Sequence, residues 1–247
     1  MEVKTEIIFG IRAIIEAIHS GNTISKVYLQ KDLKGSLFSE LNGLIKANGI
    51  STSNVPLEKL DRLSKHNNHQ GAVAQISPID FYDLETLIEK VVDEDKVPLF
   101  LLLDQLSDVR NFGAIIRTAE CTGVNGIIIQ KNGSAPVNAE TIKTSAGAAF
   151  KIPICKVDHI KDALFLLQAS DIKTVAATEK TEDSIFDVDF NQPIAIIMGS
   201  ENRGVNPSVL KMVDYKAKLP LLGTIESLNV SVACGVFLYE AIRQRFL

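Results

Sequence analysis

Four unbroken apolar runs constrain this chain most: LFLLL at 99–103, GIIIQ at 126–130, KTVAA at 173–177 and IAIIM at 194–198. None alternates between apolar and polar residues, so each predicts a strand covered on both faces. Between them, GAIIRTAECTG and IKDALFLLQAS read as helices, and VSVACGVFLYEAIRQRF makes a long terminal one. This alternation specifies an α/β domain over 98–247 with a mainly parallel sheet between layers of helix.

A smaller α/β module occupies residues 1–78. Ile11, Ile14, Ile15 and Ile18 share one helical face that ends at SGN, and KVYLQ follows as a strand. Leu37, Leu41, Leu44 and Ile45 mark a second helix, and ISTSNV reads as a strand after it. Pro56 suits the first turn of a short helix bearing Leu57, Leu60 and Leu63, and AVAQI closes the module as a strand. Residues 79–97 form a linker with one helix, LETLIEKVV, and the charged run DEDK, read as a solvated face and not as a metal site.

With 247 residues and 46% hydrophobic content, the chain can build two cores. Its formal net charge of −4 opposes a polyanion, so a nucleic-acid partner requires a local basic patch. Cys121, Cys155 and Cys234 are odd in number, far apart and set among apolar or small residues, which marks them as reduced core residues. Only His66 and His69 lie close together, without a cysteine pair, so no metal is expected. The longest apolar stretch, VPLFLLL, stops at Asp104, and Glu2 and Glu6 sit in an N-terminus without a long apolar run; the expected location is the cytoplasm, with no membrane partner.

Ligands of parallel α/β sheets bind beyond the carboxyl ends of the strands. Three loops there are rich in chemistry. The first carries Asp104, Asp108, Arg110 and Asn111, after which Gly113 opens a helix bearing Arg117. The second, GSENRGV, holds Gly199, Glu201 and Gly204; the third follows a strand near Ala217–Leu219 and places Glu226, Ser227 and Asn229 before the last helix. Gly199 and Gly204 have the spacing of a phosphate-binding P-loop, but Val205 and Asn206 stand where lysine and serine or threonine belong, and Glu201 repels phosphate. Neither domain has a Gly-x-Gly-x-x-Gly after its first strand, which excludes a dinucleotide site of that type.

Taken singly, these residues have plainer explanations. Asp108, Asn111 and Asn229 are helix-capping types, Arg117 suits an exposed helix face, and Glu201 with Arg203 makes a local ion pair. Taken together, they resemble the SpoU/TrmH group of RNA ribose 2'-O-methyltransferases, within the SPOUT superfamily. Asn111, Gly113, Ala114, Arg117, Thr118 and Ala119 match its first motif, Gly199 to Gly204 its second, and Ser227 to Ala233 its third. Val109 stands where the family often has proline, a change expected to alter loop stiffness. FGIRAIIEAI and HQGAVAQI are similar to the L30e-like RNA-binding extension of the subgroup that methylates guanosine in large-subunit ribosomal RNA.

The resemblance implies a trefoil-knotted SPOUT domain, S-adenosylmethionine as methyl donor without a metal, and a homodimer acting on RNA, 23S ribosomal RNA first and transfer RNA second. It implies catalytic roles for Arg117, Asn111, Glu201, Ser227 and Asn229. It also implies cofactor contacts at Gly199, Leu219, Leu228, Glu201, Ser227 and Asn229, with Leu222 and Ile225 beside the adenine. Free arginine has a pKa above ~12, so Arg117 is assigned first to phosphate binding and stabilisation of alkoxide charge, and only second to proton abstraction. Arg12, Lys26, Lys31, Arg110 and Arg117 are the cations available to face RNA. The contrasting class is a non-catalytic RNA-binding protein of ribosome assembly, which has no need of Arg117, Glu201, Ser227 and Asn229 together.

Overall fold

The computed structural model describes residues 6–94, 97–225 and 227–246. Asp95, Lys96 and Glu226 lie outside this range, and with them part of the DEDK run and one polar residue of the third loop. The chain forms two compact units, one running to Asp80 and including Pro136–Ala139, the other made of Phe81–Ala135 and the residues from Glu140 onward.

The first unit contains β1 (Ile7–Phe9), α1 (Ile11–His19), β2 (Ile24–Gln30), α2 (Ser36–Ala47), β3 (Thr52–Val55), α3 (Leu57–Leu63) and β4 (Ala72–Ile76). Its sheet has the order β1-β4-β2-β3, with β4 antiparallel to both neighbours and β2 parallel to β3. Val27, Leu29, Ala72 and Ala74 meet Ile11, Ile14 and Ile15 of α1 and Leu41 and Ile45 of α2. On the other face Val73 and Val55 meet Leu60 of α3. The stripes read from sequence for α1 and α2 therefore face the core, with Ile18, Leu37 and Leu44 partly buried, whereas in α3 Leu60 is buried and Leu57 is exposed. β1 is an addition; a run of three residues before Gly10 is too short to show a period.

The second unit contains α4 (Leu84–Val92), β5 (Leu99–Leu103), α5 (Val109–Cys121), β6 (Gly126–Gln130), α6 (Ala139–Thr144), β7 (Ile154–Val157), α7 (Ile160–Ala169), β8 (Lys173–Ala177), β9 (Ile194–Met198), α8 (Pro207–Leu210), β10 (Tyr215–Ala217) and α9 (Val230–Phe246). Its six strands lie in the order β10-β8-β9-β5-β6-β7, and every pair is parallel, as the apolar runs require. All five residues of β5 are at most 1% exposed. Phe100, Leu102, Ile128 and Ile197 pack on α4 and α7, while Phe112, Ile115 and Ile116 of α5 and Phe237, Leu238 and Ala241 of α9 are buried. Burying each of these leucine, isoleucine and phenylalanine side chains contributes about 1.5–3 kcal/mol. Arg245 fastens the end of α9 to the entry side of the sheet, donating to the carbonyls of Val97, Pro98, Phe190 and Gln192 at 2.8–3.1 Å.

The first motif has a different local structure from the one expected. Gly113 does not open α5; it lies in the second turn, because the helix starts at Val109. A Cβ on Gly113 would lie 1.8 Å from Thr144 Oγ1 and 2.7 Å from Thr144 Cβ, so glycine is needed for α6 to pack against α5. Val109 is accordingly the first helical residue and not a loop residue. Proline also suits that position, so the exchange bears on the helix's first turn and not on loop stiffness.

Candidate functional site: three loops at the carboxyl edge of the sheet

β5, β9 and β10 deliver their following loops to one edge of the parallel sheet. Asp104, directly after β5, is only 2% exposed and joins two of these loops. Its Oδ2 accepts from Asn206 N at 2.7 Å, and its own backbone N–H donates to the Met198 carbonyl at 2.8 Å. Burial raises the carboxyl pKa and the Asn206 bond partly opposes that rise. Asp104 is thus a fixed strut between the first loop and both ends of the second.

The second loop doubles back on itself. Ser200 N donates to Gly204 O at 3.2 Å and Gly204 N to Ser200 O at 2.8 Å, closing an antiparallel bridge. Gly204 takes φ +66° at the corner. A Cβ on Gly199 would stand 2.0 Å from Gly204 C and 2.1 Å from Val205 N, so the two backbone segments touch. Gly199 itself is buried. Glycine is obligatory there for backbone-to-backbone contact within the loop; close approach to a ligand is not needed to explain it.

Asn111, Glu201 and Asn229 come from three different loops and meet. The Asn111 amide donates to Glu201 Oε1, and the Asn229 amide donates to Asn111 Oδ1 at 3.1 Å. Capping and site formation prove compatible for Asn229: its Oδ1 accepts from Ser231 N at 2.9 Å and Ser231 Oγ at 2.6 Å at the start of α9. For α5 the capping residue is Asp108, which accepts from Arg110 N and Asn111 N at 2.9 and 2.8 Å. Asn111 is therefore released to point at Glu201. Glu201 makes no ion pair with Arg203 among the described residues, so the local-pair reading does not hold. Ser231 is a site residue to which the sequence assigned no role; its signal was the two-residue spacing from Asn229 at a helix start.

Other candidates are not drawn into this contact. Arg117 lies six residues beyond Asn111, about 9 Å along α5 and about 120° from it round the axis. It is exposed and bonds to none of the described residues. Ser227 is likewise exposed without a hydrogen bond to the described residues. Leu219 is half-buried, whereas Leu222, Ile225 and Leu228 are 101%, 78% and 44% exposed. The expected apolar enclosure is present as a set of accessible side chains along one irregular loop, not as a closed pocket.

The domain carrying these loops is recognised by comparison. Residues 98–239 match the model of the SpoU rRNA Methylase family. The chain belongs to that family. A second model, described as RNA 2'-O ribose methyltransferase substrate binding, matches residues 7–82. This SpoU family member is 34% identical over 239 residues to a protein of Staphylococcus saprophyticus described as a TrmH family tRNA/rRNA methyltransferase, covering 97% of this chain and 96% of that one. It is 31% identical over 245 residues to the similarly described YacO of Bacillus subtilis, covering 99% and 98%. In fold it is similar to the SpoU methyltransferase AviRb of Streptomyces viridochromogenes, solved in complex with AdoMet, at a TM-score of 0.61 and 24% identity, over 97% of this chain and 90% of that one. The SpoU chain is accordingly an RNA methyltransferase of the SpoU/TrmH type, with an N-terminal substrate-binding domain and a C-terminal methylase domain. No helix among its described residues is long and apolar enough to cross a membrane.

Proposed function

We propose that this SpoU methylase transfers a methyl group from S-adenosylmethionine to a ribose 2'-hydroxyl in RNA, with a guanosine of 23S ribosomal RNA as the target. The observation that carries the reading is the convergence of Asn111, Glu201 and Asn229 from three loops onto one point at the carboxyl edge of the sheet.

The residues fit the donor's chemistry. Leu219, Leu222, Ile225 and Leu228 offer apolar surface to a planar base, and the exposed backbone of the third loop offers donors and acceptors to an amino-acid group. Glu201 supplies a negative charge suited to a sulfonium. When bound, S-adenosylmethionine supplies an electrophilic methyl group. Asn111 holds Glu201 in one rotamer, Asn229 holds Asn111, and the cap at Ser231 holds Asn229, so the polar face is set before substrate arrives. Ser227, two residues before Asn229, is free to hydrogen-bond the donor or the ribose.

Arg117 has another task in this reading. Exposed on α5, its guanidinium binds RNA phosphate and stabilises charge developing on the ribose oxygen. Val232, Val236 and Tyr239 form an exposed apolar stripe on α9, which packs against α5. This stripe suits a homodimer contact. We place the protein in the cytoplasm, where its RNA is.

The test is incubation with S-adenosylmethionine and unmodified 23S and transfer RNA transcripts, followed by alkaline cleavage. One protected ribose in the 23S fragment is expected. Protection in the transfer RNA alone would reassign the substrate, and protection in neither would refute the reading. In the same assay Arg117→Ala is expected to lower transfer by about 10²-fold or more, with donor binding retained because the Asn111 contact is untouched.

A further inference from the structure

The family match assigns residues 7–82 to substrate binding but says nothing of the surface used. α1 and α2 cover one face of the first unit's sheet completely enough to bury Val27, Leu29, Ala72 and Ala74. Among the helices of the described residues, α3, whose seven residues span about 10 Å, packs on the opposite face. Leu60 lies over Val55 and Val73. Ile7 and Tyr28 pack, partly buried, against this cluster, and from Ile7 a cross-strand row continues in register through Gln75 to Lys26, all half-buried.

Tyr28 stands between the cluster and the row. Alternation along β2 puts it on the same face as Lys26, opposite Val73 on one side and Ser53 on the other. Lys26 Nζ lies 5.5 Å and Lys59 Nζ 5.4 Å from the centre of its ring. The ring thus holds two cations no more than about 11 Å apart. Neither lysine makes an ion pair with a carboxylate among the described residues, and the Tyr28 hydroxyl has no hydrogen-bond partner there. Burial pushes the phenol's pKa up, which keeps its O–H as a donor.

Two unpaired ammonium groups held by an aromatic ring form a poor surface for an acidic side chain, which brings one charge on a flexible stem. They form a good one for a polyanion whose charges recur along a strand, since neighbouring phosphates can meet both ammonium groups at once. We propose that this face, Tyr28 with Lys26, Lys59 and Gln75, is where a single-stranded stretch of the RNA substrate lies. Its phosphates sit on the two lysines and a base or ribose rests against the ring edge. The proposal builds on the RNA-methylating reading above and specifies which surface of the substrate-binding unit holds the strand.

The test measures binding of a 23S transcript to the full chain across a salt series, with methyl-transfer kinetics on the same RNA. In K26Q/K59Q the slope of log affinity against log salt is expected to fall by about 1.4, about 0.7 per lysine on single-stranded RNA. KM should rise about tenfold with kcat changed less than about twofold. K26R/K59R should restore both, Tyr28→Phe should bind within about threefold of wild type, and Tyr28→Leu should lose about tenfold in affinity. A wild-type slope and KM in K26Q/K59Q would overturn the proposal while leaving the methylase reading intact. Tight binding of an acidic protein that K26Q/K59Q abolishes, with RNA affinity unchanged, would reassign the surface. A wild-type protein that neither binds nor methylates either transcript would remove the reading on which the proposal rests.

Discussion

Gly199→Ala is the sharpest test of how the second loop is built. The added Cβ would lie 2.0 Å from Gly204 C, 2.1 Å from Val205 N and 2.4 Å from Gly204 O, against an ordinary contact of 3.4 Å or more. All three atoms are backbone, so no side-chain rotation relieves the clash. The strands of the loop must separate by more than an ångström, which breaks the bridge formed by Ser200 N to Gly204 O and Gly204 N to Ser200 O. Losing two backbone hydrogen bonds, at about 1 kcal/mol each, adds to an overpacking cost of about 1–3 kcal/mol, so the destabilisation is about 3–5 kcal/mol. Asn206, tied to Asp104 at 2.7 Å, resists the displacement and passes it to the core end of β5. For a domain of this size that is a fall in Tm of about 10 °C. Thermal unfolding followed by circular dichroism measures it, and titration calorimetry with S-adenosylmethionine should show affinity lowered by about tenfold or more. A variant that melts within about 2 °C of wild type and binds the donor normally would refute the claim that backbone contact is what demands glycine.

Three further expectations separate roles that a single alanine would confuse. Asn229→Ser keeps an oxygen to cap α9 but loses the amide that reaches Asn111, so Tm should hold while turnover falls about tenfold; Asn229→Ala should lose both, and an equal Tm loss in the two variants would discredit the division. Lys156, half-buried beside the Phe81 ring at 3.9 Å, has its pKa lowered to about 8 by burial and then by Lys131. The unfolded chain, titrating near ~10.4, binds more protons between those values, so this group's contribution to stability rises with pH across that window. Lys156→Met should therefore be more stable than wild type at pH 7 by about 1–2 kcal/mol, a lead that shrinks from pH 8 to pH 10; a lead constant with pH would contradict the burial argument. Finally, burial pushes the thiols of Cys155 and Cys234 up to about 12, with Asp83 assisting at Cys155, whereas Cys121 is exposed. A thiol reagent at pH 8 should label no more than Cys121 before unfolding and all three after it.

The parallel sheet was legible because β5, β9 and the stretches 127–129 of β6 and 175–177 of β8 are apolar on both faces, which only a doubly covered strand tolerates. The same criterion hid β7. Its residues Ile154–Val157 include Lys156 on an edge strand, where one polar side chain breaks the run. Capping residues were legible as a class but not in their division of labour. Asp108 and Asn111 are three residues apart and both suit a cap; only the position of the second loop shows that Asp108 takes the helix and Asn111 takes Glu201. Gly113 was misread for a related reason, since its cause is Thr144, thirty-one positions away and invisible to any local pattern.

Arg117 shows why a motif can be certain as a string while its geometry is not. Asn111 and Arg117 belong to one nine-residue signature, yet the helix points them about 120° apart. One side of α5 carries Asn111 to the loop that holds Glu201, and Arg117 is presented to solvent elsewhere on the same helix. A single chain therefore joins the polar contact to the sheet edge but leaves the arginine apart from it. The two act on one substrate only if the substrate spans both sides of α5 or if a second copy brings its own Arg117 to the first copy's loops. RNA is long enough for the former, and the apolar stripe of α9 favours the latter. Disrupting the stripe while leaving Arg117 in place distinguishes them, because only the second arrangement couples methyl transfer to protomer concentration.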